Sequence, residues 1–241
     1  MKILALDTSG QAASVAVLEE DRIVGEYTIH YNMTHSQTIM PMIAQMLELI
    51  QQKVEDMDYI ACTQGPGSFT GLRIGAATAK GLAYAHSIPV IPVPTLDVLA
   101  YNIFDTGKII CPIMDARRQQ VYTAFYEWRG TSLSRLTEYE ALPIEEVVVR
   151  ARQYGKQVVF VGDGVAVYKE KLAEFDEFLC APLGNNLQRA GCAAALAAQW
   201  INEGKEVAID GKDFAPFYLR KSQAERELEE KNVAKEGNTY A

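Results

Sequence analysis

Lys2-Ile3-Leu4-Ala5-Leu6-Asp7-Thr8-Ser9-Gly10 and, half a chain further on, Ile109-Ile110-Cys111-Pro112-Ile113-Met114-Asp115 decide the fold. Each is a short apolar run that ends on an aspartate, and each leads through a polar turn into an alternating segment. Val15 and Val17 share a face after the first turn; Val121, Thr123 and Phe125 do so after the second. A strand–Asp–turn–strand pattern that recurs predicts a duplicated α/β fold of two lobes. Around the first copy, strands are expected at 2–6, 12–18 and 22–29. Thr34 with Gln37 three residues later fits a capping box, and Ile39, Ile43, Leu47 and Ile50 recur at helical spacing, so 34–52 reads as a helix. A strand at 59–63, a helix at 69–86, a strand at 88–93 and a shorter helix at 95–103 complete the order βββαβαβα. Around the second copy, strands are expected at 109–114, 121–125 and 157–161, with helices at 144–154, 167–174 and 187–202. The expected layout is a first lobe over 1–105, a second over 106–220 whose last helix can pack back on the first, and a charged tail from 221 to 241.

Composition narrows the classes. The 241 residues are 49% hydrophobic, enough for a substantial core, and Lys+Arg 23 against Asp+Glu 31 gives a net charge of −8. A transmembrane helix needs about 20 predominantly apolar residues in a row. Lys80, Pro89, Pro92, Pro94 and Gln199 interrupt the richest stretches. The N-terminal apolar run stops at Asp7, too short for a signal peptide. Cys62, Cys111, Cys180 and Cys192 are scattered among apolar neighbours without CxxC spacing, and are expected to be buried, reduced thiols of a cytoplasmic protein. Nucleic-acid binders draw most of their affinity from phosphate neutralisation, so an acidic chain is a poor lone RNA binder.

Gly65-Pro66-Gly67-Ser68-Phe69-Thr70-Gly71-Leu72-Arg73-Ile74-Gly75 is the most specific stretch. It lacks the Gly-Lys-Ser/Thr ending of a Walker loop. Inside the helix that follows, Gly71, Gly75 and Ala79 fall four apart on one face. Each helical glycine costs up to about 1 kcal/mol against alanine, so a close partner is expected there, another helix of this chain or of a second chain. Met40, Met42 and Met46 lie in the preceding helix, where Met42, Met46 and Leu49 read as a stripe beside the core stripe. Methionine suits adaptable binding surfaces. The expected partner interface is therefore Met40, Met42, Ile43, Met46 and Leu49 with Gly71, Gly75 and Ala79.

Candidate chemistry is sparse. Asp7-Thr8-Ser9-Gly10 has the residues of a phosphate or metal-water cradle, and equally those of an ordinary turn. Asp115 is followed by Ala116-Arg117-Arg118-Gln119-Gln120, without the glycine a phosphate loop uses. His30, His35 and His86 have no metal-ligand spacing, and no GxSxG elbow is present, so no catalytic residue and no metal ligand is assigned.

The strand ending Asp7-Thr8-Ser9, the glycine-rich run 65–75, Asp115-Ala116-Arg117-Arg118 and Pro216-Phe217-Tyr218-Leu219-Arg220 occur in that order. Together they resemble the bacterial TsaB family over residues 1 to about 220. The resemblance implies the actin/sugar-kinase/Hsp70-like duplicated fold and a role in tRNA threonylcarbamoyladenosine modification beside the anticodon. It further implies a heterodimer with the paralogue TsaD, a larger complex with the ATPase TsaE, a homodimer when the chain is alone, and tRNA reached indirectly through the complex. TsaD-like proteins carry an HxxxH metal pair shortly after a strand ending Ile-Pro-Val. Here Ile91-Pro92-Val93 is followed by Pro94-Thr95-Leu96-Asp97-Val98-Leu99, which puts Thr95 and Leu99 in the two histidine slots. Leucine cannot ligate a metal. The expectation is a non-catalytic scaffold that needs no cofactor, with weak ATP or ADP binding at degenerate loops (Asp7, Thr8, Ser9, Gly10 and Asp115) left open. The rival readings are an ATP-dependent small-molecule kinase of the same fold and, more weakly, a metallopeptidase.

Overall fold

The structure, a computed structural model, describes residues 1–31, 33–105 and 107–220. The charged tail expected from residue 221 lies outside them. The first lobe is built on β1 (Lys2–Asp7), β2 (Ala13–Glu19), β3 (Arg22–Ile29), β4 (Tyr59–Gly65) and β5 (Val90–Pro94), in the order β3-β2-β1-β4-β5. The β1–β2 and β2–β3 pairs are antiparallel and the β1–β4 and β4–β5 pairs parallel. Successive side chains of a strand point to opposite faces, and both faces of this sheet are covered. Leu4, Leu6, Val15 and Val17 meet α1 (His35–Leu49) and α2 (Phe69–His86). Ile3, Ala5, Ala16 and Leu18 face the other way, toward the side of α3 (Thr95–Tyr101). That two-sided burial explains why β1 and β2 read as nearly continuous apolar runs.

The second lobe repeats the plan. It contains β6 (Ile109–Asp115), β7 (Gln120–Thr123), β8 (Tyr126–Arg129), β9 (Ser132–Arg135), β10 (Glu140–Pro143), α4 (Ile144–Arg152), β11 (Val158–Val161), α5 (Gly164–Val167), α6 (Lys169–Leu172), β12 (Phe178–Cys180) and α7 (Ala190–Asn202). Its main path is β10-β7-β6-β11-β12, again two antiparallel pairs followed by two parallel ones. The duplicated α/β fold expected from the two aspartate-ended strands is present in both order and sense.

The differences have local causes. The strand expected at 121–125 breaks after Thr123 because Phe125 turns its backbone to residues 136 and 137. Its N–H donates to Thr137 Oγ1 at 3.1 Å and its carbonyl accepts from Leu136 at 2.7 Å. Beyond the break, β8 pairs with β9 and with the start of β6. The short strands β9, β10 and β12 carry too few alternating apolar residues for their pattern to stand out. Of the four thiols expected to be buried, Cys62 and Cys111 are, Cys192 is half-buried, and Cys180 is exposed because it ends β12 at the edge of the sheet. The helix expected at 167–174 is divided at Tyr168 into α5 and α6.

The helix expected from 187 starts at Ala190, and side chains of the first sheet fix that start. Ser14 Oγ accepts from Ala190 N at 2.9 Å, while Glu26 accepts from Gly191 N at 3.0 Å and from the Arg189 guanidinium. Strand side chains thus supply the acceptors that a helix N-terminus lacks. The alanine face of α7 (Ala190, Ala193, Ala194, Ala197) then packs on Ile3 and Ala5 of the first lobe. Among the described residues no helix is long and apolar enough to cross a membrane.

Candidate functional site at the interlobe cleft

Asp7 ends β1 in full burial, and burial pushes its carboxyl up to about 6 against the pull of the Ser9 donors. Its Oδ1 accepts from Ser9 N at 2.9 Å and from Ser9 Oγ at 2.6 Å, while Oδ2 has no partner among the described residues. Thr8 Oγ1 donates to Gly71 O at 2.7 Å, and Ser9 O accepts from Ser68 N at 2.7 Å. The start of α2 therefore lies directly on the turn. A side chain at Gly71 would collide with the Thr8 carbonyl oxygen, and one at Gly75 would come within 2.5 Å of Thr8 Oγ1. On its other side the turn is closed by the buried amide of Gln188, which occupies the space beside Gly10. The Thr8 hydroxyl and both Ser9 donors, which a phosphate would use, are engaged within the chain.

The second turn is open. Arg117, Arg118 and Gln119 are all left-handed, with φ of 62°, 54° and 59°. This conformation costs a non-glycine residue roughly 1–2 kcal/mol. The turn stands without glycine because its ends are tied. Asp115 Oδ1 accepts from Arg117 N at 2.9 Å, and Ala116 N donates to Gln120 O at 2.9 Å. Behind it, Asp163 Oδ1 accepts from Asp115 N at 3.3 Å, and burial pushes the Asp163 carboxyl up to about 6.

Residues 214–220 strap the lobes together. Phe214 is buried in the first-lobe core, and Lys80 Nζ donates to the carbonyls of Lys212 and Phe214 at 2.9 and 3.0 Å. Phe217 N donates to Gln64 O at 2.6 Å. Tyr218 stacks on Phe69 with centroids 4.6 Å apart, and Arg73 lies 4.0 Å over the other ring. The strap ends on the second lobe, where Arg220 Nη1 donates to Ala116 O at 3.1 Å and to Gln120 Oε1 at 2.8 Å. Between strap and turns lies a cleft of about 690 Å³, lined among others by Ser68, Asp115, Arg118, Asp163, Tyr218 and Arg220.

Elsewhere between the lobes, Asp97 of α3 accepts from Tyr126 at 2.7 Å and from Tyr139 at 2.8 Å, both in the second lobe. Burial raises the Asp97 carboxyl, and the two tyrosine donors oppose that shift. Thr95 and Leu99, in the same helix, are fully buried. Among the described residues no group of three or more His, Cys, Asp or Glu is placed to hold a metal.

The expected partner interface needs correction. Met42, Ile43 and Met46 are buried with Ile39 and Leu47 in the core between α1 and the first sheet. Positions 39, 42, 43, 46 and 47 form one helical face, so the methionines extend the core stripe. Ala79 belongs to the same core, and Gly71 and Gly75 make room for Thr8 rather than for a second chain. Met40 and Leu49 are the two members that stay on the surface, 47% and 67% exposed. Three contributors escaped the sequence reading. Asp97 was legible as a lone charge in an apolar helix, and Arg220 as the end of the 216–220 motif. Gln188 carries no sequence signal, because its place beside Gly10 is set by how α7 docks.

Comparison with known proteins places the chain. Residues 23–229 match the family TsaD, tRNA N6-adenosine threonylcarbamoyltransferase. The tRNA threonylcarbamoyladenosine biosynthesis protein TsaB of Bacillus subtilis (strain 168) is 32% identical over 227 residues, covering 93% of this chain and 96% of that protein. Its namesake in Escherichia coli (strain K12) is 32% identical over 234 residues, covering 95% and 98%. A Pseudomonas aeruginosa structure described as similar to the peptidase YeaZ superposes with a TM-score of 0.79 at 30% identity, covering 91% of this chain and 99% of that one. YeaZ from the same organism gives 0.76 at 29%, covering 90% and 99%. The Clostridium difficile activator of 2-hydroxyisocaproyl-CoA dehydratase, at 14% identity, TM-score 0.50 and coverage of 86% and 98%, shares the actin-like fold. On sequence identity along nearly its whole length, the chain belongs to the TsaB family of tRNA threonylcarbamoyladenosine biosynthesis proteins.

Proposed function

We propose that the chain has no chemistry of its own and acts by docking a TsaD-type partner through the outer face of α1 and α2. In doing so it supports threonylcarbamoylation of the adenosine beside the anticodon. The observation that carries this reading is the character of that face. Met40, Pro41 and Ala44 of α1 are exposed, as are Ala77, Gly81 and Tyr84 of α2. Tyr84 is 91% exposed. Its charged groups are Glu48 and the half-buried Lys80, whose ammonium is turned onto the carbonyls of Lys212 and Phe214. Arg73, at the cleft end of α2, is turned onto Phe69 and Tyr218. These are few for a surface in a chain with 22% charged residues. Pro41 lies inside α1, where a proline costs about 3 kcal/mol in a helix interior. Its exposed ring recovers none of that through burial in the chain's own core. Methionine and tyrosine are enriched and charged residues depleted in the cores of protein interfaces, and Ala44, Ala77 and Gly81 leave room between Met40 and Tyr84 for a second helix.

In this reading the same face pairs two copies of the chain when no partner is present, and a TsaE-type ATPase joins the larger complex. A nucleotide has no part in it, since the Thr8 hydroxyl and both Ser9 donors are engaged within the chain and α2 and Gln188 crowd the turn. The kinase reading loses support for the same reason, because Asp7 is sealed from the cleft. The test is native mass spectrometry of the chain mixed with a TsaD-family partner. A heterodimer is expected for the natural sequence and none for Met40→Arg/Ala77→Arg, which touches exposed positions and leaves the thermal midpoint unchanged. Pairing of the double variant at natural affinity would overturn the assignment of the face.

A further inference from the structure

Three arginines around the interlobe cleft stand out by what they lack. Among the described residues, Arg22, Arg117, Arg129, Arg135, Arg150, Arg152 and Arg189 each pair with a carboxylate. Arg73, Arg118 and Arg220 have no acidic partner among those residues, and all three border the same cleft. Arg118 and Arg220 line it, and Arg73 donates to Tyr218 Oη, on its wall, at 3.2 Å. In a chain of net charge −8, carboxylates are plentiful, so three unneutralised guanidiniums at one place mark a seat for an external anion. The carboxylates of Asp115 and Asp163 also line the cleft, but Asp115 is taken by Arg117 and Asp163 accepts from the backbone. Ser9 and Gly10 also line the cleft, but the Thr8 hydroxyl and both Ser9 donors are engaged within the chain, so the anion meets the open 115–120 turn and the strap rather than the Asp7 turn.

The rings beside these arginines indicate what kind of anion it is. Arg73 lies over Phe69, Tyr218 stacks on the same ring and accepts from Arg73, and Phe217 and Tyr218 are each 38% exposed. Guanidinium groups interleaved with exposed aromatic faces suit unpaired nucleotides, whose phosphates meet the arginines while their bases stack on the rings. An acidic protein surface would use the charges and leave the rings without a role.

We propose that this rim is a local RNA seat. Arg118, Arg220 and Arg73 would hold two or three phosphates of an unpaired tRNA segment, and Tyr218 would carry a base. The proposal rests on the docking reading above, and it amends the expectation that tRNA is reached only through partners. The grip is small, which suits a chain whose overall charge repels RNA.

Among the described residues Arg118 has no hydrogen bond or ion pair within the chain, so it is the cleanest position to change. The complex of the full chain with its TsaD-type partner is titrated with tRNA between 50 and 200 mM salt (about the range in which phosphate contacts dominate). Arg118→Glu should weaken binding by roughly fivefold or more and reduce the slope of log affinity against log salt by about one. Arg22→Glu, at the exposed start of β3, should stay within about twofold of the natural sequence, on the same ground. Photocrosslinked RNA should map to Tyr218. Unchanged affinity and slope for Arg118→Glu would overturn the proposal. So would loss of heterodimer in that variant, which would make the rim a protein contact. ATP–Mg²⁺ displacing the crosslink at stoichiometric levels would overturn it in favour of a mononucleotide site. If the natural chain forms no heterodimer, the docking reading fails, and the same titration of the chain alone at low salt still reads the rim.

Discussion

Asp7 is a buried carboxyl with one oxygen unpartnered among the described residues, and its properties lead to a measurable pH dependence. In the folded chain it titrates near 6, above the ~3.9 of an unfolded aspartate. Between those values the folded state binds the extra proton, so stability falls as pH rises from about 4 to 6 and is level above. At pH 8 the buried charge opposes folding by about 3 kcal/mol, an order-of-magnitude figure. Asp7→Asn keeps an acceptor for both Ser9 donors and removes the charge. Urea denaturation should find the variant more stable than the natural chain at pH 8, by about 1–3 kcal/mol, and the two converging below about pH 4. Equal destabilisation at both values would show that the charge is required by the fold. The glycines of α2 separate in the same way. Gly71→Ala forces a Cβ onto the Thr8 backbone and should cost about 1–3 kcal/mol. At Gly81 a Cβ would meet nothing within 4 Å, and Gly81→Ala should stabilise by about 0.5–1 kcal/mol. The sequence alone marked Gly71 and Gly75 as needing a close neighbour. It could not name Thr8, because the neighbour comes from a strand more than sixty residues earlier and is set by how α2 crosses the end of β1.

At the scale of elements, α1 shows where pattern reading succeeds and where it runs out. Its position and capping residues were legible from Thr34, Gln37 and the Ile39–Ile43–Leu47 spacing, and Gln37 Oε1 does reach back to Thr34, 2.9 Å from its hydroxyl. Which apolar residues face the sheet was harder, since Met42 and Met46 lie too close to Ile39 and Ile43 around the helix to be told apart by spacing. The distinction has a direct consequence. Met42→Arg places a charge in the first-lobe core and should unfold the lobe, whereas Met40→Arg changes an exposed position and should move the thermal midpoint by no more than about 2 °C. A circular-dichroism melt of the two variants checks it, and equal melts would contradict the burial assigned to α1. The β9, β10 and β12 strands were not legible, because three- and four-residue strands are held by pairing with longer neighbours more than by their own pattern.

For the whole molecule, the duplication was readable from two aspartate-ended strands, and both sheets keep the same order and strand sense. What the sequence could not convey is how firmly the lobes are joined. Asp97 bridges to Tyr126 and Tyr139, α7 leaves the second half to pack on the first sheet, and the strap carries Arg220 across to Ala116 and Gln120. Each of these contacts links residues far apart in the chain. A two-lobed frame tied at three places, with the Asp7 carboxyl buried away from the cleft, is suited to holding a partner in shape. The most direct measurement of that claim is tRNA threonylcarbamoyladenosine formed in a reconstituted reaction of a TsaD-family transferase, a TsaE-type ATPase, threonylcarbamoyl-adenylate, ATP and tRNA. The account predicts modification when the chain is present, little without it, little with Met40→Arg/Ala77→Arg, and none from the chain alone. Full modification with the chain omitted, or with the double variant in its place, would contradict it.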